Sequence, residues 1–412
     1  MTRADSHSTG LDRAEISPAE YRGRARRLAD EATARGLEAV LVWSKGGGTV
    51  DRYADVLYLT NHYTQFPHIP DLPPHWAGRA HAACIVTREG ETILVSDIAD
   101  WRRDLVVADR VVVDLDLTRG VAAVLGELAL DRTRVGLAAA ETMVLGTWRL
   151  LRSRLPGVEW VPVDDVLERM RAIKSDAEIG VIREAVKVGD AIMGAMLEAC
   201  VPGATEADVA AAGYHAGIVR GCAPYDLPGA SGPNANAFSH GSLPSWSRRT
   251  LEPGDLYHSD MYGAYHGYYY DYTRSTVVGA EPTDDQLRVL EGAIGAVEAV
   301  IDALEPGVTF GDAYERGAAY LRDNGFDAGT PDDVVSGLGQ AFPSFGHSLG
   351  LAWESPWIVP GNPASVAPNM YLAVEAAVGL PGVGAAGFEQ DVLITAGGVE
   401  VLPALTARWW ER

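Results

Sequence analysis

The chain has 412 residues, 47% of them hydrophobic, which is enough for two or three domains with their own cores. It carries 34 Lys and Arg against 56 Asp and Glu, a formal net charge of −22. We therefore expect no nucleic-acid or anionic-membrane partner, because both require a positive surface; the acidic balance fits a small-molecule enzyme or a site that attracts a cation.

The cysteines and the N-terminal segment indicate a cytoplasmic protein. Cys84, Cys200 and Cys222 are widely separated and form no disulfide framework, which favours a reducing compartment. The polar N-terminal segment lacks the apolar region of a secretory signal. No run of about 18 apolar residues occurs, so we predict no transmembrane helix.

The first half of the chain predicts a disordered tail over residues 1–16, followed by an α/β domain over residues 17–164. The motif Ser17-Pro18-Ala19-Glu20 combines a Ser cap, Pro at the first helical position and Glu at the third, and predicts a helix that ends at Gly36. Short β-like runs such as AVLVW and AACIVT then alternate with helical stretches, which is typical of α/β domains.

The second domain, predicted over residues 165–412, contains a weak internal repeat. The segments at Pro202-Gly203-Ala204-Thr205 and Pro306-Gly307-Val308-Thr309 lie 104 residues apart. In each, a helix ends at Pro-Gly, Thr caps the next helix, and β-rich sequence follows. This pattern favours two similar α/β halves, although Pro-Gly between helices also occurs by chance.

Two acids, Asp260 and Asp271, lie in the segment LYHSDMYGAYHGYYYDYTRS. Its period-two alternation around Gly263 and Gly267 predicts a β-hairpin with Asp260 on the first strand and Asp271 on the second. Two adjacent carboxylates repel each other unless one is protonated or a divalent cation lies between them. The alternative is a pair of exposed acids on an edge strand.

Three further residues in the C-terminal half favour the metal site. His347 lies in PSFGHSLGL, and the apolar strands MYLAVEAAV and GFEQDVLIT carry Glu375 and Glu389. A carboxylate inside a buried strand is costly unless it is paired, hydrogen-bonded or bound to metal. Together with the two aspartates, these residues form a set suited to a pair of divalent ions.

This order of residues resembles the pita-bread metallopeptidase family, which contains methionine aminopeptidase, aminopeptidase P, Xaa-Pro dipeptidase and creatinase. The segments RMRAIKSDAEIGVIREA and SGPNANAFSHG resemble, respectively, the opening helix of its catalytic domain and the segment with an active-site His, here His240. The resemblance implies an α+β fold: a pita-bread domain with pseudo-twofold halves, preceded by a creatinase-type N-terminal α/β domain. It also implies a homodimer.

The resemblance further implies a role for each site residue. Asp260 and Asp271 would bind one of two divalent ions (Mn, Fe, Co or Zn). The other would be bound by Asp271, His347, Glu375 and Glu389, with Asp271 and Glu389 bridging. A metal-activated water would attack the substrate, Glu375 would carry its proton, and His240 would polarise the substrate.

Three departures separate this sequence from the proline-specific peptidases of the family. Their second His, seven residues after the metal His, is Glu354 here; their Glu-Pro-Gly is Glu375-Ala376-Ala377; and an Arg two residues before the second Glu is Gly387. The metal set therefore looks retained, while the peptide-handling groups look changed.

The stretch WESPW suggests a substrate contact. Glu354, with Trp353 and Trp357, would form an anionic aromatic wall for a cationic group. The alternative is that Glu354 is solvated and the tryptophans pack a core or a dimer contact.

We predict a metal-dependent hydrolase acting on a dipeptide or small amide. The close alternative is a non-peptidase that cleaves a C–N or C–S bond, similar to creatinase, ectoine hydrolase or dimethylsulfoniopropionate lyase.

Two motifs point to other functions but lack the context that those functions need. Gly382-x-Gly384-x-x-Gly387 matches a dinucleotide fingerprint but precedes a strand, and GHSLG matches a serine-hydrolase elbow but no His follows His347. A metal-free scaffold on the same fold is disfavoured because all five ligand positions are filled.

Overall fold

The structure, a computed structural model, describes residues 16–46, 53–64, 66–67, 69–232, 244–326 and 343–412. Within these residues the chain forms two compact units, 16–172 and 173–412. The predicted disordered tail, except for Ile16, lies outside the described residues.

The first unit continues to Ala172 rather than ending at residue 164, because the helix Asp164–Ala172 forms an ion pair and a hydrogen bond with this unit. Asp165 pairs with Arg35 at 2.6 Å, and the Tyr58 hydroxyl donates to the carbonyl of Met170 at 3.1 Å. The domain boundary therefore lies eight residues beyond the predicted one.

The N-terminal unit is a six-stranded mixed sheet with helices, in the strand order β4-β3-β2-β1-β5-β6. Its strands are β1 Ala39–Lys45, β2 His81–Thr87, β3 Thr92–Ser96, β4 Arg110–Val113, β5 Arg134–Ala138 and β6 Glu159–Pro162. Its helices are α1 Pro18–Ala34, α2 Ala54–Thr60, α3 Leu117–Glu127, α4 Leu145–Arg154 and α5 Asp164–Ala172, with a 3₁₀ turn at Ala140–Thr142.

The predicted start of α1 is confirmed. The Ser17 side chain accepts a hydrogen bond from the Glu20 N–H at 3.3 Å, and Pro18 occupies the first helical position. Gly36, with φ of +70°, follows the helix end, as the sequence predicts. The apolar face of the sheet, including Leu41, Trp43 and Val95, forms the core against α3 and α4.

The C-terminal unit contains three sheets in the orders β11-β10-β7, β12-β9-β8 and β14-β13-β15-β16-β17. Its first strands are β7 Ala223–Asp226, β8 Gly229–Ser231, β9 Leu256–Ser259, β10 Tyr262–Tyr265, β11 Tyr268–Asp271 and β12 Arg274–Val277. The later strands are β13 Gly346–Leu349, β14 Trp353–Trp357, β15 Tyr371–Leu380, β16 Gly384–Thr395 and β17 Gly398–Val401.

Four α-helices are described in this unit: α6 Asp176–Ala199, α7 Glu206–Ile218, α8 Asp284–Ile301 and α9 Phe310–Asp323. A 3₁₀ turn follows at Trp409–Glu411. Helix α6 packs against β10 and β11, and α8 packs against β15 and β16. In the described parts of the chain, no helix combines the length and the apolar character needed to cross a bilayer.

The predicted internal repeat is confirmed by matching turns. Gly203 follows α6 with φ of +89°, and Gly307 follows α8 with φ of +96°. Thr205 and Thr309 then cap α7 and α9 through their side chains. Each turn also forms a short bridge to a distant segment, Thr205 with Thr250 and Thr309 with Ser365.

The predicted hairpin is present, but it begins later than expected. Strands β10 and β11 pair around a turn at His266 and Gly267, with φ of 51° and 89°. Asp271 ends β11, whereas Asp260 lies between β9 and β10, where the chain passes from one sheet to the next. Asp260 therefore does not lie on the first strand of the hairpin.

Candidate metal centre

Three of the predicted ligands form a tight buried cluster. One ligand atom from each of Asp271, His347 and Glu389 lies within 4.8 Å of the other two. The three residues come from β11, β13 and β16, so the first and second halves of the unit both contribute. All three are at most 5% exposed.

The other two predicted ligands adjoin this cluster. Glu375 on β15 is the direct cross-strand partner of Glu389 on β16, so the two side chains share one face of the sheet. Asp260 is linked to Glu389 through the Thr273 hydroxyl, which lies 3.0 Å from Asp260 Oδ1 and 3.1 Å from Glu389 Oε2. As whole residues, Asp260 and Glu375 are less completely buried than the other three.

Within the described residues, no Lys or Arg side chain neutralises the carboxylates of the cluster. No Lys or Arg among the described residues forms an ion pair with Asp260, Asp271, Glu375 or Glu389, and the one charged-type contact is His347 Nε2 to Asp271 Oδ2 at 3.8 Å. Burial raises the pKa of Asp260 to about 6 and that of Glu375 to about 8. Burial, then the neighbouring acids, raises the pKa of Asp271 and of Glu389 well above the usual range.

His347 is prepared to act as a neutral ligand. Burial lowers its pKa to about 4, so the imidazole is neutral near pH 7. Nδ1 lies 3.0 Å from the Ser348 carbonyl, which only accepts, so Nδ1 carries the proton. Nε2 then carries the free electron pair, and it faces Asp271. In metal-binding histidines, the nitrogen that does not bind the metal commonly donates to a carbonyl or carboxylate, as Nδ1 does here.

The donor set fits divalent cations. Four carboxylates and one imidazole supply hard oxygen and borderline nitrogen ligands, which Mn, Fe, Co and Zn accept. Without a cation, four acids at these distances must retain protons in order to be buried together. The raised pKa values and the lack of basic partners within the described ranges are both explained by a site built for positive charge.

Two residues that the sequence analysis missed support the cluster. Thr273 joins Asp260 to Glu389, and Asp391, fully buried on β16, accepts from the backbone N–H of Asp271 at 3.2 Å. Asp391 follows Glu389 by two residues, so it lies on the same face of the strand. That spacing is visible in EQDVLIT, but its partner at Asp271 depends on how distant strands align.

Gly387, one of the departures from the peptidase pattern, is explained by its neighbour. A Cβ at this position would lie 2.3 Å from Cε1 of His258, and the Gly387 N–H donates to His258 Nδ1 at 2.8 Å. The buried imidazole therefore fills the space that a side chain at position 387 would need. An Arg there would displace His258.

The consecutive residues Trp353 and Glu354 of strand β14 lie on opposite faces of the sheet. Trp353 donates its indole N–H to Asp271 Oδ2 at 2.6 Å, and the Trp357 ring lies 4.7 Å from that of His347. Glu354, only 8% exposed, pairs with the buried Lys174 at 3.3 Å and accepts from the Leu351 N–H. These contacts favour a structural role for Glu354 over the predicted anionic wall, whereas both tryptophans lie beside the cluster.

His240, predicted to contact the substrate, lies outside the described residues. Its role stays a prediction.

Two family models match the chain. The model for metallopeptidase family M24 matches residues 180–396, and the model for the creatinase/prolidase N-terminal domain matches residues 24–173. The matched ranges meet near the boundary between the two compact units at residues 172 and 173.

Curated relatives align with part of the chain. The probable dipeptidase PepE of Mycobacterium tuberculosis is 34% identical over 246 residues, 59% of this chain and 61% of that protein. The Xaa-Pro dipeptidase of Pyrococcus furiosus is 29% identical over 247 residues, 59% of this chain and 66% of that protein. The chain thus spans less than two thirds of the length of these relatives.

Solved structures match nearly the whole chain. The X-Pro aminopeptidase from Thermotoga maritima has a TM-score of 0.77 at 22% identity and covers 94% of this chain and 99% of its own. Dipeptidase PepE from Mycobacterium ulcerans has a TM-score of 0.75 at 25% identity, with 96% and 99% covered. With the family models, these matches confirm the predicted fold, a pita-bread domain preceded by a creatinase-type N-terminal domain.

Proposed function

Because the chain belongs to metallopeptidase family M24, we propose that it is a metal-dependent hydrolase of the Xaa-Pro dipeptidase type that cleaves the amide bond of a dipeptide. The names of the relatives, a probable dipeptidase and an Xaa-Pro dipeptidase, support this class of substrate. The observation that supports it most directly is the buried group of carboxylates with no basic partner among the described residues.

The buried residues Asp271, His347 and Glu389 would hold a divalent cation, and the half-buried Asp260 and Glu375 would complete a set for two. A cation bound there supplies Lewis-acid polarisation of the amide carbonyl and lowers the pKa of an adjacent water. The number of ions and the choice among Mn, Fe, Co and Zn belong to this proposal.

Glu375 is suited to move the proton. Glu375 lies opposite Glu389 on the neighbouring strand, and the residue is less completely buried than Asp271 or Glu389. In the metal-free protein, burial and then the charge of Asp260 raise the pKa of this carboxyl to about 8. One Glu375 oxygen would take a proton from the attacking water and give it to the leaving nitrogen.

Other parts of the proposal rest on the family resemblance alone. These are the contact of His240 with the substrate carbonyl and a homodimeric assembly. The proposed cytoplasmic location rests instead on the three widely separated cysteines. The aromatic residues beside the cluster, Trp353 and Trp357, would form one wall of the substrate pocket.

A second function is favoured by one specific observation. His258 fills the space at Gly387, so the arginine found there in many peptidases of the family has no room. A pocket without that group suits a small non-peptide molecule whose C–N or C–S bond is cleaved, as in the creatinase-like branches.

A substrate screen with a chemical control separates the two functions. Protein loaded with MnCl₂, CoCl₂ or ZnCl₂ is assayed on Xaa-Pro dipeptides, on dipeptides without proline, and on creatine-like amides and sulfonium compounds. We expect dipeptide hydrolysis that is lost with chelator and in Glu375→Gln. Turnover of the non-peptide compounds alone would contradict the dipeptidase proposal and support the second function.

A further inference from the structure

One side chain next to the cluster has a contact that ordinary packing does not explain. The indole N–H of Trp353 donates to Asp271 Oδ2 at 2.6 Å, although 37% of the Trp353 surface is exposed. The ring is tilted against Tyr262 at 5.1 Å and against His347 at 5.9 Å between ring centres. The polar end of this partly exposed tryptophan is thus directed at a buried carboxylate.

The register of the β13–β14 hairpin fixes this orientation. Leu349 pairs with Trp353, so Trp353 shares the face of Leu349 and, two residues earlier, of His347. Glu354 pairs with Ser348 on the other face, where Lys174 lies. Side-chain alternation therefore sends the indole, and not the carboxylate beside it, to the cluster.

Asp271 is held at two points. Its backbone N–H donates to Asp391, which fixes the main chain at the end of β11. The side-chain torsion of Asp271 is determined by the groups around its carboxylate. The Trp353 N–H donates directly to that carboxylate. A hydrogen bond to an ionised carboxylate is short and strong, so it favours one orientation of that group.

We propose that Trp353 is a positioning residue for Asp271, whose indole N–H holds this carboxylate toward His347 and Glu389 and so raises the affinity of the cluster for a divalent cation. This rests on the metal centre of the proposed function and deepens it. Loss of an outer partner of a ligand typically weakens metal binding by about 10–100-fold.

The test compares variants of Trp353 that differ in the N–H group. Trp353→Phe removes the donor but also ring area. Replacement of Trp353 by 3-benzothienylalanine keeps the shape and exchanges the N–H for sulfur. Trp148→Phe, in an aromatic pair of the N-terminal unit, controls for loss of an indole in general. The metal-free full-length proteins are titrated with MnCl₂ by calorimetry, and the melting temperature of each is measured.

We expect the benzothienyl variant to bind Mn²⁺ about 10–100-fold more weakly than the wild type, with Trp148→Phe unchanged. In CoCl₂-loaded protein, the visible absorption bands of the benzothienyl variant should shift, because the Asp271 orientation changes. An affinity within twofold of the wild type, with unshifted bands, would overturn the proposal even if the melting temperature fell, since that result indicates packing alone.

Failure of the proposed function gives a different result. If the wild type binds Mn²⁺ and the variants bind it more weakly, but no dipeptide is cleaved, the positioning role stands and the dipeptidase proposal falls. If wild-type protein binds none of Mn²⁺, Co²⁺ and Zn²⁺, both are overturned.

Discussion

In the N-terminal unit, the buried carboxylates of Asp97 and Asp116 each face an arginine, whereas in the C-terminal unit Asp271 and Glu389 face other acids. Asp97 Oδ2 lies 2.7 Å from Arg79 and accepts from the Ala80 N–H at 3.0 Å. Asp116 pairs with Arg154 and caps α3 through the Arg119 N–H. Around Asp271 and Glu389, burial and neighbouring acids together raise the pKa of both groups.

The difference separates acids that stabilise the fold from acids that serve a ligand. A buried carboxylate with an arginine and backbone donors has its charge compensated within the chain. A group of buried carboxylates without such partners costs stability unless a cation from solution compensates it. Removing the charge of one acid in the C-terminal unit should therefore weaken metal binding without loss of stability. Removing one in the N-terminal unit should lower stability without a change in metal binding.

The largest effect is expected from Glu389→Gln, which keeps the size of the side chain and removes one charge. We expect Mn²⁺ affinity to fall more than 100-fold, beyond the effect of losing an outer partner. The metal-free variant should be at least as stable as the wild type, because one source of repulsion is gone. Calorimetric titration and melting curves of the metal-free protein measure both.

The matched control for this variant is Asp97→Asn in the N-terminal unit. It should leave Mn²⁺ affinity unchanged and lower stability by about 1–3 kcal/mol, because the partly exposed Arg79 loses the charge of its buried partner. If Glu389→Gln destabilised the metal-free protein as much as Asp97→Asn does, the contrast between the two units would be wrong.

A smaller effect on the metal site, with a larger effect on the fold, is expected at the Lys174–Glu354 pair. Lys174→Met leaves the buried Glu354 carboxylate without its ammonium partner, which typically costs about 3–5 kcal/mol. The double variant Lys174→Met/Glu354→Gln should recover part of this loss. Melting curves measure the stability, and a titration with MnCl₂ should show an affinity within a few-fold of the wild type.

The same pair tests the predicted substrate role of Glu354. If its contacts with Lys174 and Leu351 describe its role, Glu354→Gln lowers the melting temperature and leaves the order of preferred substrates unchanged. A changed substrate order at unchanged stability would instead support the anionic wall that the sequence predicts.

The sequence predicts which residues belong to the site better than it predicts which residues contact one another. Glu375 and Glu389 were recognisable because a carboxylate inside an apolar strand needs a partner. The repeat at Gly203 and Gly307 was recognisable because Pro-Gly followed by a Thr cap is a local signal. Such signals depend only on residues a few positions apart, so no knowledge of the fold is required.

The orientation of Trp353 and Glu354 was not recognisable, because it depends on an irregular pairing. Between His347 and Ser348 the register of β13 with β14 shifts, so His347 pairs with Trp357 but Ser348 pairs with Glu354. Counting seven residues from His347 therefore gives the position of Glu354 but not its face. Likewise, the contact of Thr273 with Glu389 joins segments more than 100 residues apart in sequence.

The smallest expected effect is the change in stability with pH, for which the pKa shifts predict whether stability rises or falls in each pH range. The pKa values of Asp260 and Glu375 are raised in the folded protein to about 6 and about 8, above their unfolded values near 4. Between the unfolded and the folded pKa of each group, the folded state therefore binds more protons than the unfolded state, so stability falls as pH rises. His347, with a pKa lowered to about 4, acts in the opposite direction below about pH 6.5.

The clearest decline should thus appear between about pH 6.5 and 8, where the imidazole no longer contributes and Glu375 still ionises. The slope is at most about 1.4 kcal/mol per pH unit for each titrating group. Melting temperatures of metal-free protein in chelator should fall across this range, and Glu375→Gln should flatten the fall. With saturating MnCl₂ the trend should reverse, because a cation binds the ionised carboxylates and the neutral imidazole. If the stability of the metal-free protein did not fall from pH 6.5 to 8, its acids would already be compensated, as they are around Asp97.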